Sequence, residues 1–230
     1  MSTHLQFAET TLQEVALVFM AVVYMTRLYW LFRFKGGKER QPPTGDPRKT
    51  PQKGILYSWA IIGMPWAMES TRTKLFLYLQ FVIFHLGVVC AIGNSFVIPY
   101  APQLLVTYPE LVTVMQVFIG GAFIVGVLRI IRRFGNKHMR AISSPDDYFS
   151  LLLLTVWFAF AYLAAPNDLS GGETFALAYF WLTAFFLVYV PFSKISHYLY
   201  YPFTRYWFGK SMGRRGVYPF LSSSTPEIES

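Results

Sequence analysis

Five long runs of apolar residues dominate the sequence, and each is long enough to cross a membrane as a helix. The runs cover residues 15–31, 75–98, 111–128, 148–165 and 174–190. A bilayer core about 30 Å thick needs about 20 apolar residues in an α-helix. Because the apolar residues are continuous rather than alternating, they argue against a transmembrane β-barrel. The sequence therefore predicts an all-α fold, a polytopic membrane bundle of five transmembrane helices.

Composition excludes a soluble protein and cysteine-based metal clusters. Hydrophobic residues make up 54% of the chain and charged residues 14%, against about 25% charged residues in soluble domains. Cys90 is the single cysteine, so the chain can form neither an internal disulfide nor a cluster held by several thiolates. Any redox chemistry of this chain requires other ligands.

The distribution of lysine and arginine predicts the orientation of the helices. With the N-terminus outside, all 20 basic residues fall on the inner side, in Arg27, residues 33–74, residues 129–140 and the segment from residue 194 onward. The charged residues of the outer segments are all acidic, namely Glu9, Glu14, Glu110, Asp168 and Glu173. Because cytoplasmic loops collect basic residues, we expect the N-terminus outside and the C-terminus inside a cytoplasmic (inner) membrane. This bias and contact with anionic membrane lipids account for the net charge of +8 without a nucleic-acid partner.

The chain is expected to form a single membrane domain over residues 1–220, followed by a disordered cytoplasmic tail over residues 221–230. No basic residue precedes the first apolar run, which indicates a retained helix rather than a cleaved signal peptide. Residues 40–53 are rich in proline and predict an extended linker. Residues 55–67 are apolar but too short to span, which predicts an interfacial or re-entrant segment anchored by Trp59 and Trp66.

Two histidines are expected in the inner half of the membrane. His85 is in the second run, about 16 Å from its inner end at 1.5 Å per residue. His197 follows Pro191 near the inner end of the fifth helix. Two imidazoles that face each other across a helical bundle are typical axial ligands of a haem iron. Small residues provide room for the macrocycle, and the candidates are Gly87, Gly93, Gly120 and Gly121.

An alternative explanation of each histidine needs no cofactor. In it, His85 is a neutral, hydrogen-bonded residue between helices, and His197 is a solvated imidazole at the interface. His4 and His138 lie in the predicted N-terminal tail and a loop, and we expect both to be solvated and non-ligating. The sequence has no dinucleotide-binding, phosphate-loop, zinc-protease or hydrolase motif.

The sequence around these histidines resembles the nitrate reductase gamma-subunit family of membrane b-type cytochromes, which includes subunits paired with heterodisulfide-reductase-like iron–sulfur proteins. The resemblance rests on FHLG around His85, on PFSKISH ending at His197, and on the basic, aromatic segment YYPFTRYWFGKSMGRR that follows. It implies a five-helix cytochrome b domain over residues 1–220 that transfers electrons between the quinone pool and an iron–sulfur partner on the cytoplasmic face. Such a chain is an electron-transfer subunit rather than a complete enzyme.

The resemblance also implies the haem ligands. Well-known members bind two haems through four histidines, two on the second helix and two on the fifth. His85 and His197 match the inner pair, but residues 93–95 (Gly-Asn-Ser) and Tyr179 stand where the outer pair is expected. We therefore expect one haem b, with His85 and His197 as its axial ligands.

Two further expectations concern the inner end of the bundle. Haem propionates need cations or hydrogen-bond donors, and the candidate partners are Arg129, Arg132, Arg133, Lys194 and Arg205. Without an outer haem, either the quinone site lies nearer the inner haem or another subunit supplies the missing step. Residues 55–66 and the tyrosine-rich end of the fifth helix are the expected lining of a quinone site near the inner haem.

A membrane cytochrome is one of three functions compatible with the sequence. The second is a haem-free anchor or assembly subunit, which uses the same helices and basic loops to hold a peripheral redox complex at the membrane. The third is a small-solute transporter, which the absence of carboxylates inside the predicted spans disfavours. A reducible b-type spectrum distinguishes the first function from the second.

Overall fold

The computed structural model describes residues 1–37 and 40–220, which form helices and connecting turns without β-strands. In chain order the α-helices are α1 (Thr3–Glu9), α2 (Thr11–Arg33), α3 (Pro51–Ala60), α4 (Glu69–Arg72), α5 (Leu75–Tyr100), α6 (Gln103–Thr107), α7 (Pro109–Gly135), α8 (Lys137–Ala141), α9 (Pro145–Ala164), α10 (Thr174–Tyr189) and α11 (His197–Arg214). Short 3-10 helices lie at Ile61–Gly63, Pro65–Ala67, Val190–Phe192 and Lys194–Ser196. The all-α prediction is confirmed. The predicted tail, residues 221–230, lies outside the described residues.

Five helices are long and apolar enough to cross a membrane, which confirms the predicted number and indicates a multi-pass membrane protein. They are Thr3–Arg33 (α1 with α2), α5, α7, α9 and Thr174–Phe192 (α10 with the 3-10 turn after it). Each helix extends beyond its apolar run at one end or both. Capping explains such an extension in α9, where Ser144 and Asp147 form a capping box before the apolar residues begin.

The chain divides into two compact units. Unit 1 consists of residues 1–31 and 79–196, and unit 2 consists of residues 32–78 together with the chain from residue 197. The five spans belong mainly to unit 1. Because this division reflects contacts and not independent folding, one membrane domain over residues 1–220 stays a prediction.

Hydrogen bonds in unit 1 show that α5 runs opposite to α2 and that α10 runs opposite to α9. At one end, the Tyr100 hydroxyl, where α5 stops, donates to Glu14 near the start of α2 at 2.9 Å. At the other end, Lys194 after α10 donates to Asp147 in the first turn of α9 at 2.7 Å. We call the first the glutamate end and the second the basic end. The arginine and lysine residues of unit 1 at the basic end include Arg27, Arg129, Arg132, Arg133 and Lys194.

The core of unit 1 is aromatic. Tyr179 and Phe158 are among its largest fully buried side chains. Trp157 of α9 donates through Nε1 to the Thr183 hydroxyl of α10 at 2.9 Å. Phe84 of α5 meets Phe158 edge-on, with ring centroids 5.3 Å apart. Such edge-on pairs contribute beyond their buried area, so these rings fix the packing of α5, α9 and α10.

Unit 2 is built on a close pair of helices, α3 and α11. Gly54 of α3 faces Gly209 and Gly213 of α11, and a Cβ added at Gly54 would lie 2.7 Å from the Gly213 Cα. Small residues four positions apart let two helix backbones approach this closely. The pair is also joined by the Trp59 indole, which donates to the Pro202 carbonyl at 3.0 Å.

The connection between the first span and unit 2 differs in part from the predicted linker. The first ten residues of the linker lack regular helix, but Pro51 begins α3 and Thr50 caps it. Proline is favoured at the first helical position, which explains why the proline-rich stretch ends in a helix. The Gly45 N–H donates to the Arg215 carbonyl at 3.0 Å, so the linker is attached to the end of α11. The apolar stretch 55–67 forms short helices and is not among the five candidate spans, and its interfacial or re-entrant position stays a prediction.

Candidate functional site

His85 is oriented by its own helix. Its Nδ1 lies 2.7 Å from the carbonyl oxygen of Phe81. A carbonyl only accepts hydrogen bonds, so Nδ1 carries the proton and Nε2 carries the lone pair. Metal-ligating histidines commonly use this arrangement, in which a backbone carbonyl fixes the tautomer and the ring orientation. The half-buried ring also packs on Phe81, with centroids 4.1 Å apart. His85 is thus held in the form that can ligate an iron through Nε2.

Arg129 of α7 lies beside the same part of α5. Its guanidinium carbon is 4.5 Å from the centre of the Phe84 ring, and Phe84 directly precedes His85. Among the described residues, no carboxylate forms an ion pair with Arg129. The structure therefore places this predicted propionate partner over the Phe84 ring, without an ion-pair partner among the described residues.

Two other predicted propionate partners, Arg133 and Lys194, share one carboxylate. Lys194 Nζ is 2.7 Å and Arg133 Nη1 is 3.8 Å from Asp147 Oδ2. Asp147 also accepts from the Ser144 N–H at 2.8 Å. Because Asp147 compensates their charges, Arg133 and Lys194 are weaker candidates for binding a propionate than Arg129.

A further hydrogen-bonded set joins α9 to the end of α10 at the basic end of unit 1. The Tyr189 hydroxyl donates to the Asp146 carboxylate and lies 2.9 Å from the Ser150 hydroxyl. The rings of Phe149 and Phe185 flank the Tyr189 ring, with centroids 5.3 and 5.7 Å away. These two phenylalanines are 47% and 46% exposed. A carboxylate, a phenol and a hydroxyl therefore lie next to aromatic rings on the surface of the spans.

His197 is the first residue of α11, at an exposed position in unit 2. The sequence predicted it near the end of the fifth helix, but that helix ends before it. After α10 the chain forms two 3-10 turns, Val190–Phe192 and Lys194–Ser196, instead of further α-helix. Pro191, in the first turn, has no N–H to donate to a helical hydrogen bond. The preceding turns contain buried Ser193 and Ser196, and the Ser196 hydroxyl donates to the Ser193 carbonyl at 2.8 Å. The backbone leading to His197 is thus internally hydrogen-bonded.

Arg205, another predicted propionate partner, lies on α11, whereas Arg132 is exposed on α7. Its Nε donates to the Ser58 carbonyl of α3 at 2.9 Å. Its Nη2 is buried and has no hydrogen-bond partner, and the same is true of the Ser58 hydroxyl. An arginine with an unsatisfied buried donor has capacity for an oxyanion such as a propionate.

The positions where the resemblance places an outer pair of haem ligands are filled by side chains. Tyr179 is fully buried and its hydroxyl donates to the Ala91 carbonyl on α5. Asn94 and Ser95 lie next to that hydroxyl. Asn94 is fully buried, and both atoms of its amide lack a hydrogen-bond partner. Tyr179 therefore bridges α10 to α5 at the place where a second macrocycle would have to fit.

The glycines expected to make room for a haem have different surroundings. A Cβ at Gly87 would meet the Ala122 methyl and lie 2.7 Å from the Phe118 carbonyl, so Gly87 accommodates α7 rather than a macrocycle. A Cβ at Gly121 would lie 3.0 Å from Ile83. Gly93 faces open space. The first two glycines bring α5 and α7 together, which is a packing role.

Sequence reasoning placed His4 and His138 outside the site, and both are exposed in the structure. It did not identify Asp146 and Asp147 as partners of the candidate cations and of Tyr189. A signal was present in the sequence, because Ser144 and Asp147 are spaced as a capping box and so mark the start of α9.

Comparison with family models, with curated proteins and with solved structures gives no match to this chain.

Proposed function

We propose that this chain is a membrane b-type cytochrome subunit with one haem b, transferring electrons between the quinone pool and a peripheral iron–sulfur partner. The proposal includes the cytoplasmic (inner) membrane, with the N-terminus outside and the basic end inside. The observation that supports it is the hydrogen bond between His85 Nδ1 and the Phe81 carbonyl, which fixes the tautomer and ring orientation as backbone carbonyls do for metal-ligating histidines.

His85 and His197 are the proposed axial ligands. When bound, a haem with two histidine ligands supplies a one-electron carrier. Arg129 supports the proposal because it is a cation that lies over the ring of Phe84, the residue before His85 in the sequence. Among the described residues it has no carboxylate partner. Arg205 supports it through a buried guanidinium nitrogen that lacks a partner. Both would compensate the negative charge of propionates.

The proposal contains one haem rather than two. Tyr179 and Asn94 support this number, because they occupy the outer ligand positions with fully buried side chains. The hydrogen bond from Tyr179 to the Ala91 carbonyl ties the two helices that would otherwise have to separate around a second macrocycle.

The proposed contact with quinone is at the basic end of unit 1. Quinol oxidation releases protons as well as electrons, so a quinone site needs groups that accept protons. The hydrogen-bonded set of Asp146, Tyr189 and Ser150 supplies such groups beside the exposed rings of Phe149 and Phe185. This arrangement supports the expected location near the inner haem and the tyrosine-rich end of the fifth helix.

The test is the haem content and the spectrum of the purified protein. We expect about one haem b per chain in a pyridine haemochrome assay, with a low-spin, dithionite-reducible spectrum. His85→Ala and His197→Ala each remove one axial nitrogen, so each should abolish the low-spin spectrum.

His4→Ala and His138→Ala are the matched controls and should leave the spectrum unchanged. A folded but colourless preparation would contradict the cytochrome proposal and favour the haem-free anchor. A reproducible value near two haems per chain would contradict the single-haem assignment.

A further inference from the structure

We infer that Arg205 and Ser58 form a binding site for an oxyanion on unit 2, between α3 and α11. The inference deepens the proposed function, because one source of such an oxyanion is a haem propionate. The other source is the phosphate of an anionic phospholipid. A phosphate and a carboxylate present the same chemistry to an arginine, namely negatively charged oxygens that accept hydrogen bonds.

Two residues that are hydrogen-bonded to each other each carry an unsatisfied polar atom. Arg205 Nε is bonded to the Ser58 carbonyl at 2.9 Å, which places the guanidinium against the residue that carries the buried hydroxyl. The Arg205 Nη2 and the Ser58 Oγ are both buried without a hydrogen-bond partner. Ser58 is fully buried as a residue, whereas Arg205 is only partly buried. The Arg205 side chain therefore extends from the buried Ser58 to the surface of unit 2.

Both unsatisfied groups are hydrogen-bond donors or can act as donors. The Nη2 carries only N–H groups, and a serine hydroxyl has one O–H to donate. A buried cationic donor without a partner is costly, which favours a bound anion over an empty site. A water molecule satisfies a donor but leaves the guanidinium charge uncompensated.

Among the described residues of unit 2, no carboxylate forms an ion pair with Arg205. The acidic residues of unit 2 in the described part of the chain are Asp46 and Glu69. Asp46 binds Arg48 through both carboxylate oxygens, at 3.1 Å each. The Phe208 ring lies 5.3 Å from the Arg205 guanidinium carbon and covers it without neutralising it. We therefore infer that the anion comes from another molecule.

Glycines make the site rigid. A Cβ at Gly209 would lie 2.7 Å from the Ser58 Cβ, so the backbone of α11 lies directly against Ser58. This contact fixes the spacing of the two helices that carry Arg205 and Ser58.

The experiment compares wild type with Ser58→Ala, Arg205→Gln and the matched control Arg214→Gln, which removes an exposed arginine from the same helix. In the lipid arm, the full chain is reconstituted in nanodiscs of phosphatidylcholine with or without phosphatidylglycerol, and its melting temperature is recorded. We expect phosphatidylglycerol to raise the melting temperature of wild type and of Arg214→Gln. The increase should be smaller for Ser58→Ala and Arg205→Gln. Ser58→Ala keeps the arginine and its backbone hydrogen bond, so it tests the site without removing a structural contact.

In the haem arm, the midpoint potential of the same variants is measured. If the anion is a propionate, Arg205→Gln should lower the potential because a cation near the haem stabilises the reduced form, while the lipid effect should be unchanged. A variant effect in either arm supports the site, and the arm in which it occurs identifies the source of the anion. If Arg205→Gln and Ser58→Ala behave like Arg214→Gln in both arms, the inference is wrong. Since the lipid arm needs no haem, a colourless protein would overturn the proposed function and still test the site.

Discussion

Buried polar side chains in the spans bind the backbone of neighbouring helices. The Gln13 amide donates to the Ala8 carbonyl at 2.9 Å and to the Phe180 carbonyl of α10 at 2.8 Å. Gln13 is only 4% exposed, so the alternative to these bonds is an unsatisfied amide in an apolar interior. A single side chain thus ties the first span to the fifth.

Gln13→Leu should reduce the free energy of unfolding by about 1–2 kcal/mol, because it removes two buried hydrogen bonds while nearly keeping the volume. Denaturation of the purified protein in mixed detergent measures the loss. Gln103→Leu, at an exposed position outside the spans, is the control and should have no comparable effect. Equal stability of the Gln13 variant and wild type would show that these bonds contribute little.

Glu173, just before α10, provides a pH test. The Ser2 hydroxyl donates to this carboxylate and holds the pKa of Glu173 below its ordinary value of 4.5. The unfolded chain therefore takes up the proton at a higher pH than the folded chain does. The stabilisation is present above pH 4.5 and is lost as the pH falls through the lowered folded pKa.

The expected result is that Ser2→Ala melts at a lower temperature than wild type at pH 7. The difference should shrink as the pH falls below 4.5. Melting curves over this pH range check the prediction, and a difference that stays constant down to pH 3 would contradict it.

The sequence was sufficient to identify candidate propionate partners but not to rank them by availability. The segregation of basic residues predicts Arg129, Arg133, Lys194 and Arg205 near the same end of the bundle, so it makes all four candidates. Whether a cation is available depends on a carboxylate that is close in space and distant in sequence. Asp147 precedes Lys194 by 47 residues, and no local pattern predicts that pairing.

At the scale of elements, the apolar runs predicted the five spans, and the contacts between spans required the structure. Helix α5, the second span, illustrates the difference. Its glycines Gly87 and Gly93 are both possible helix contacts in the sequence, but only Gly87 packs against α7. The apolar run shows that a helix exists, whereas the direction of each side chain depends on which neighbour it packs against.

Gly87→Ala should destabilise the protein by about 1–3 kcal/mol, because the added methyl group collides with Ala122 and with the Phe118 carbonyl. Gly93→Ala is the matched control on the same helix. It should be neutral or stabilising by up to about 1 kcal/mol, since alanine favours helix and the site is open. Thermal unfolding of both variants checks the prediction, and reversed signs would contradict the packing of α5 against α7.

The end of the fifth helix was predicted only in part. Pro191 indicated a kink, but α10 ends at Tyr189 and α11 begins at His197. In the turns between α10 and α11, the buried hydroxyls of Ser193 and Ser196 form hydrogen bonds with backbone groups. These bonds replace helical ones, so interrupting the helix there costs little free energy. Serines are common in helices as well as in turns, and the sequence alone did not decide between a kink and a break.

At the scale of the whole molecule, the charge distribution makes the orientation testable. In a Cys90→Ser background, cysteines introduced at Thr3 and Ser170 should react with an impermeant maleimide added outside. A cysteine at Thr44 should react only after the membrane is opened, because its segment is rich in basic residues. Reaction of the Thr44 variant in intact cells would contradict the proposed orientation.

The pairing of α3 with α11 has a consequence for biosynthesis. Arg205 and Ser58, which are hydrogen-bonded in unit 2, are separated by 147 residues. At about 5–20 residues per second, a ribosome needs roughly 7–30 s to make the intervening chain. During that interval α3 lacks its partner, and the face of α3 that carries Gly54 is uncovered. A nascent chain stalled before residue 197 should therefore be cleaved by a protease between residues 50 and 60, and completion of synthesis should protect that segment.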